Sequence, residues 1–218
     1  MNIEEFIDAV VTLDEKRAID FANELLNEGM DPSNILEALH LAPEEIGKKF
    51  EKGEYFISDL IMAGEILKEI TALIKPKLSS AKRRILGRIV IGTVEGDIHD
   101  IGKNIAIALL ESAGFEVLDL GVDVPAEKFV EAIKNFQPEI VGMSGLLTVA
   151  IESMKKVVEK IKETSLREKV KIIIGGGRMN EDVMHYVGAD TWTDNAVRGV
   201  KLCKQLLLKE GGSFFEHK

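Results

Sequence analysis

Arg88-Ile89-Val90-Ile91-Gly92 decides the fold. Its three central residues are β-branched and consecutive, so neither face of the segment is polar. That is the pattern of a strand buried on both sides, not of the alternating strand of a half-solvated sheet. Residues 140–144 and 171–174 read the same way, and weaker apolar runs stand at 116–120 and 190–193. Helical spacing fills the intervals, at 101–113, 126–136, 148–164, 180–187 and 195–210. Strands that alternate with helices form right-handed βαβ units on a parallel sheet. Five of them imply the flavodoxin-like, Rossmann-type order 2-1-3-4-5, so that ligands are expected beyond the carboxyl ends of the strands, at the switch point between the first and third.

Upstream of this unit the pattern is helical only. Asp14 is placed to cap a helix over 15–28, Asp31-Pro32 supplies a cap and first helical residue for the next, Pro43 opens a short one through residue 50, and a long one runs over 55–74 until Pro76. The expectation is a four-helix bundle over residues 1–78, a polar and basic linker over 79–86 (Ser79-Ser80-Ala81-Lys82-Arg83-Arg84 at its head), and an α/β domain over 87–218. The full 218 residues carry 37 acids against 28 bases, a net charge of −9, which disfavours nucleic-acid binding because that requires clustered Lys and Arg. No apolar run approaches the roughly 18 residues of a membrane span, so no membrane partner is expected. Met1-Asn2-Ile3-Glu4-Glu5 has neither the basic nor the apolar part of a signal peptide, and the single Cys203 suits a reducing compartment, so a cytoplasmic location is expected.

Three loops converge on the predicted ligand edge. After the first strand comes Gly92-Thr93-Val94-Glu95-Gly96-Asp97-Ile98-His99-Asp100-Ile101-Gly102-Lys103-Asn104, after the third Ser144-Gly145-Leu146-Leu147-Thr148, and after the fourth Gly175-Gly176-Gly177. A P-loop needs four residues between its glycines and then Lys-Ser/Thr. Here Gly96 and Gly102 enclose five, and Asn104 stands where the hydroxyl belongs. Gly-x-Gly-x-x-Gly is absent. What remains is Asp97-x-His99. An imidazole can ligate a metal through one nitrogen while the other donates to a carboxylate. The same spacing also suits an Asp–His pair that caps the following helix. Zinc would need three or four protein ligands, and no cysteine or second histidine lies nearby.

Gly96-Asp97-Ile98-His99-Asp100-Ile101-Gly102 resembles the Asp-x-His-x-x-Gly signature of corrinoid-binding proteins, with the companion elements Ser144-Gly145-Leu146 and Gly175-Gly176 following in order. Asp119-Leu120-Gly121-Val122-Asp123-Val124-Pro125, Gly188-Ala189-Asp190, and Gly47 to Ile57 in the helical half extend the likeness over nearly the whole chain. The chain resembles the stand-alone corrinoid (cobalamin) proteins of methyltransferase systems and the cobalamin module of methionine synthase. The resemblance implies that His99 ligates cobalt with Asp97 hydrogen-bonded behind it, the pair tuning its proton as cobalt cycles between Co(I) and methyl-Co(III). It further implies that Ile98 binds the cofactor and that Gly102 leaves room for its displaced nucleotide tail. Ser144, Leu146 and Thr148 would line the channel of its nucleotide tail, Gly175, Gly176 and Gly177 would let the tail approach the backbone, and Phe56 would shield the upper corrin face from a helical cap. Ala150 stands where the relay serine of methionine synthase would be, which leaves a pair and no third member.

The function so implied is that of a methyl carrier, inactive alone. A donor-specific methyltransferase would methylate Co(I), a second would pass the methyl to tetrahydrofolate or coenzyme M, and a reductive activase is a further expected partner. A cobalamin-dependent sensor or a small subunit of a corrinoid mutase are the alternatives. The first lacks a basic recognition helix in residues 1–77, and the capping bundle favours methyl transfer over the second. Cys203 and Trp192 read as packing residues.

Overall fold

The computed structural model describes residues 2–78 and 85–210; residues 79–84 of the expected linker lie outside them. The described chain forms two compact units, the first ending at Leu86 and including Ala108–Gly114, the second beginning at Gly87.

The first unit holds five α-helices where four were expected: α1 (Ile3–Val11), α2 (Glu15–Asn27), α3 (Pro32–Leu39), α4 (Ala42–Glu51) and α5 (Ile57–Ile74). The additional one, α1, is closed by its own cap, the Asn2 side chain accepting from the Glu4 N–H at 3.1 Å. Asp14 and Asp31 cap α2 and α3 in the same way, accepting from Arg17 and Ser33. Phe6, Leu25, Ile35, Leu39, Ile66 and Ile70 are fully buried and form its core, each contributing about 1.5–3 kcal/mol relative to an exposed position.

The second unit is the α/β domain. Its strands are β1 (Arg88–Thr93), β2 (Glu116–Asp119), β3 (Ile140–Ser144), β4 (Lys171–Gly175) and β5 (Thr191–Thr193), separated by α6 (Ile101–Ser112, grouped with the first unit from Ala108 on), α7 (Ala126–Phe136), α8 (Thr148–Glu163) and α9 (Glu181–Val187) and followed by α10 (Ala196–Glu210). All pairings are parallel and the order is β2-β1-β3-β4-β5, as the periodicity predicts. Val90, Val141, Ile172 and Ile174 join Phe129 of α7 and Met154, Val157 and Ile161 of α8 in one core, while the alternate residues Ile89, Ile91, Ile140 and Ile173 are buried as well. Burial on both faces is why these strands are continuous in apolar residues. Register then fixes the working edge: Thr93 pairs with Ser144, Ser144 with Gly175, and Gly175 with Thr193. The last residues of four strands thus stand in one row, and the loops that follow them leave from a common line. No helix among the described residues is long and apolar enough to cross a membrane.

Candidate functional site

The loop after β1 opens with a tight turn in which the Asp97 N–H donates to the Val94 carbonyl at 3.1 Å. Gly96 occupies its third position at φ +83°, the left-handed conformation a type II turn demands of that residue. The turn drops the Asp97 side chain into the protein, where it is wholly buried. There the carboxylate accepts four hydrogen bonds. Oδ1 takes the His99 ring Nδ1–H at 2.6 Å and the His99 backbone N–H at 3.0 Å; Oδ2 takes the backbone N–H of Leu146 at 2.6 Å and of Leu147 at 2.9 Å. Four donors saturate the lone-pair sites of a carboxylate. Burial alone would raise the Asp97 carboxyl, but the N–H groups of Leu147, His99 and Leu146 and the His99 ring outweigh it and hold the group well below the usual carboxylate range.

Asp97 thereby determines the tautomer of His99. With Nδ1 donating to a carboxylate, Nε2 carries the lone pair, on a ring whose side chain is half exposed. The backbone of His99 is fixed from below as well, because the buried Thr93 hydroxyl donates to its carbonyl at 3.0 Å. Beside the loop, the buried Lys103 ammonium donates to both Asp119 oxygens at 2.8 Å and to Asn104 Oδ1 at 2.9 Å, which ties the start of α6 to the end of β2.

The other predicted residues stand as follows. Leu146 belongs to the dyad directly through its amide. Ser144 and Gly175 sit side by side in the row of strand ends, and a Cβ on Gly177 would meet Leu146 Cδ1 at 3.7 Å. Ile98, Gly102 and Thr148 are exposed around His99 on the same edge, and around a Cβ at Gly102 there is open space. Gly176 has a reason within the fold: at φ +141°, its Cβ would lie 2.0 Å from the Gly145 carbonyl oxygen, so glycine is required there whether or not a ligand approaches. Phe56 lies in the helical unit just before α5, 67% exposed, its N–H accepted by the Asp59 carboxylate at 2.7 Å.

Position 150 is settled by packing. Ala150 is fully buried, and a Cβ on Gly145 would stand 2.5 Å from its methyl group. Among the described residues no side-chain hydroxyl reaches Asp97; its second oxygen ends on two backbone amides, and the pair has no third side chain. Sequence reasoning missed those amides, and also Thr93, Lys103 and the exposed Ile101, Leu147 and Val149, which with Ile98 and Leu146 give the edge an apolar surface. Exposed apolar residues gathered at one edge are the mark of a binding surface; in the sequence Ile101 and Val149 stood at the starts of predicted helices and Leu147 in a loop.

The donor set fits a corrinoid better than a protein-only metal site. Among the described residues no group of three or more His, Cys, Asp or Glu side chains could hold a metal ion. A macrocycle that fills the equatorial positions needs one axial nitrogen, and the edge supplies one, surrounded by apolar side chains.

Comparison with known proteins agrees. Two matches, each described as a B12 binding domain, cover residues 87–201 and 2–75. The chain is 37% identical over 204 residues to trimethylamine corrinoid protein 1 of Methanosarcina acetivorans, covering 92% of this chain and 94% of the relative. A cobalamin-binding protein from Desulfitobacterium hafniense superimposes with a TM-score of 0.80 at 41% identity, covering 94% of this chain and 98% of that one. A chain of the methanol:cobalamin methyltransferase complex MtaBC of Methanosarcina barkeri superimposes with a TM-score of 0.83 at 26% identity, covering 97% of this chain and 80% of that one. Two B12 binding matches, together with relatives aligned over almost their whole length, establish that the chain belongs to the B12-binding corrinoid proteins.

Proposed function

We propose that the protein carries a methyl group on a corrinoid whose cobalt His99 Nε2 would hold. The observation that carries this reading is the 2.6 Å bond between His99 Nδ1 and a fully buried, four-coordinated Asp97 carboxylate. A bound corrinoid supplies a cobalt that takes up a methyl group as Co(I) and releases it to an acceptor.

The chain's own residues do the rest. Asp97 orients the ring, with Nδ1 toward its carboxylate and Nε2 turned away as the ligand nitrogen. Because Asp97 is closed by the Leu146 and Leu147 amides, the orientation of the ring is set by backbone geometry. The open space at Gly102 would take the displaced nucleotide tail, and Ser144, Leu146, Thr148, Gly175 and Gly177 on the same edge would line it. Phe56, exposed just before α5, is kept as the candidate cap residue of the helical unit.

Donor and acceptor chemistry is assigned to partner enzymes. The relatives support this: one is named for trimethylamine, and a structural neighbour belongs to a methanol:cobalamin methyltransferase complex. We therefore assign to the protein a donor-specific methyltransferase, a second methyltransferase to tetrahydrofolate or coenzyme M, and a reductive activase that restores Co(I).

The test is electron paramagnetic resonance of cob(II)alamin bound to protein labelled with 15N-histidine. Ligation by His99 splits each cobalt line into a doublet; retention of the cofactor's own base gives a triplet. The doublet is expected, and His99→Ala should abolish it. A triplet in the unsubstituted protein, or a doublet that survives the substitution, would overturn the assignment.

A further inference from the structure

We propose that Asp123 is a positioning residue for the axial histidine, acting through the loop that carries it. The proposal rests on the assignment of His99 as cobalt ligand.

The loop between β2 and α7 runs alongside the His99 loop and is bonded to it at five points. Thr93 N–H donates to Gly121, Val124 N–H to Thr93, Glu95 N–H to Val124 and Asp123 N–H to Asp97, each at 3.0 Å between backbone groups. The fifth is the shortest and the only one made by a side chain: Asp123 Oδ1 accepts the Gly96 N–H at 2.7 Å. Gly96 is the residue on which the turn pivots, so this carboxylate pins the conformation that delivers Asp97 into the interior. The loop is itself anchored, since Asp119, held by Lys103, accepts the Gly121 N–H at 2.9 Å.

The backbone gives a second, independent sign. Four non-glycine residues among those described have positive φ: Leu13, Asp123, Gln137 and Ser165. Leu13, Gln137 and Ser165 each stand within two residues of the end of a helix, namely α1, α7 and α8, where the left-handed conformation is the ordinary way to stop. Asp123, at φ +52°, follows no helix. A left-handed aspartate in a connecting loop is unfavourable relative to glycine and persists where its surroundings require it. What this conformation provides is a backbone N–H on Asp97 and a side-chain oxygen on Gly96, two adjacent residues of the His99 loop.

Two variants separate the acceptor from the backbone. Asp123→Gly relieves the left-handed strain but removes the acceptor; Asp123→Asn retains an oxygen in the same place and tolerates the same φ. A partly exposed, charge-assisted hydrogen bond implies an effect of about fivefold. In Asp123→Gly, amide hydrogen exchange at Gly96, Asp97 and His99 should therefore quicken about fivefold while Ile172–Ile174 in β4 stay unchanged. The cob(II)alamin concentration that half-saturates the 15N-histidine doublet should rise by a similar factor, and Asp123→Asn should restore both. An unchanged half-saturation in Asp123→Gly, whatever the exchange rates do, overturns the proposal, and so does failure of Asp123→Asn to restore it. A triplet in the unsubstituted protein instead sinks the His99 assignment, and the exchange rates alone then decide whether Asp123 holds the loop.

Discussion

Replacing Asp97 with asparagine tests the closed dyad with almost no change in shape. The carboxylate accepts four hydrogen bonds; an amide can accept only at its oxygen, and its NH2 must face either the two His99 donors or the Leu146 and Leu147 amides. Facing the Leu146 and Leu147 amides, the NH2 leaves both N–H groups without an acceptor and confronting another donor; facing His99, it does so to the backbone N–H while the ring can change tautomer and accept. At about 1.5–3 kcal/mol for each bond to a charged group, the loss is about 1.5–6 kcal/mol for one or two bonds, a large part of the 5–15 kcal/mol that stabilises an ordinary domain. The assay is urea denaturation of the cofactor-free protein followed by fluorescence of Trp192, the single tryptophan, which lies on β5 and so reports the α/β unit. With a slope near 2 kcal/mol per molar urea, the midpoint should fall by about 0.75–3 M. His99→Ala removes one of the four donors without creating a clash and should cost about 1 kcal/mol. A midpoint shift below about 0.5 M in Asp97→Asn would refute the claim that the dyad is closed by the backbone. Acid titration supplies the sign. The folded Asp97 carboxyl lies below its unfolded value, near 3.9, so between the two the unfolded chain holds the extra proton and stability rises with pH. The contribution is complete above the unfolded value and disappears as pH falls through the folded one, so acid sensitivity below about pH 4 should lessen in Asp97→Asn.

Gly102→Ala should separate folding from binding: it adds a methyl group to open space in the first turn of α6, so the cofactor-free protein gains up to about 1 kcal/mol, whereas corrinoid affinity, titrated by absorbance, drops if the tail uses that space. Gly176→Ala drives a Cβ to 2.0 Å from the Gly145 oxygen and should cost more than about 3 kcal/mol or prevent folding; Gly177→Ala, with its nearest neighbour at 3.7 Å, should stay within about 0.5 kcal/mol in the same urea titration. The Cys203 thiol, pushed up by burial to about 12, should resist iodoacetamide at pH 8 in the native protein and react on denaturation; reaction at the rate of a free thiol in the native state would contradict its burial on α10.

The periodicity of Arg88–Thr93, Ile140–Ser144 and Lys171–Gly175 was enough to place the sheet order and its ligand edge, because strands buried on both faces leave no ambiguity of period. Asp97 and His99 were legible because a side-chain pair has a residue-type signature. Leu146 and Leu147 were not legible as partners of Asp97, since a backbone N–H belongs to every residue but proline and leaves no trace in composition. Thr93, Lys103 and Asp123 were present in the quoted loops but carried no spacing signal; their roles appear only when β1 and β2 lie side by side. In the helical half, α1 escaped a separate assignment because its boundary with α2 is a turn at Thr12–Leu13 without glycine or proline.

The three motif elements make one continuous structure before any cofactor is considered. Asp97, from the loop after β1, needs two amides, and those of Leu146 and Leu147 sit directly after Ser144-Gly145, where the chain leaves β3. For that turn to lie so close, Gly145 must do without a side chain against Ala150, and its N–H must donate to the Gly175 carbonyl at 3.0 Å. The approach puts the Gly145 oxygen where any side chain on Gly176 would be. Each element is thus a condition for the next: the glycines of the third allow the turn of the second, whose amides hold the carboxylate of the first. The dyad therefore obtains its geometry from backbone packing, and Ala150 follows from the same packing, because a larger residue there would push Gly145 away from Gly176. A substitution at Gly145 or Gly176 should then act on His99 from a distance, weakening its ligation by disturbing the amides that hold Asp97 before it disturbs any contact with the tail.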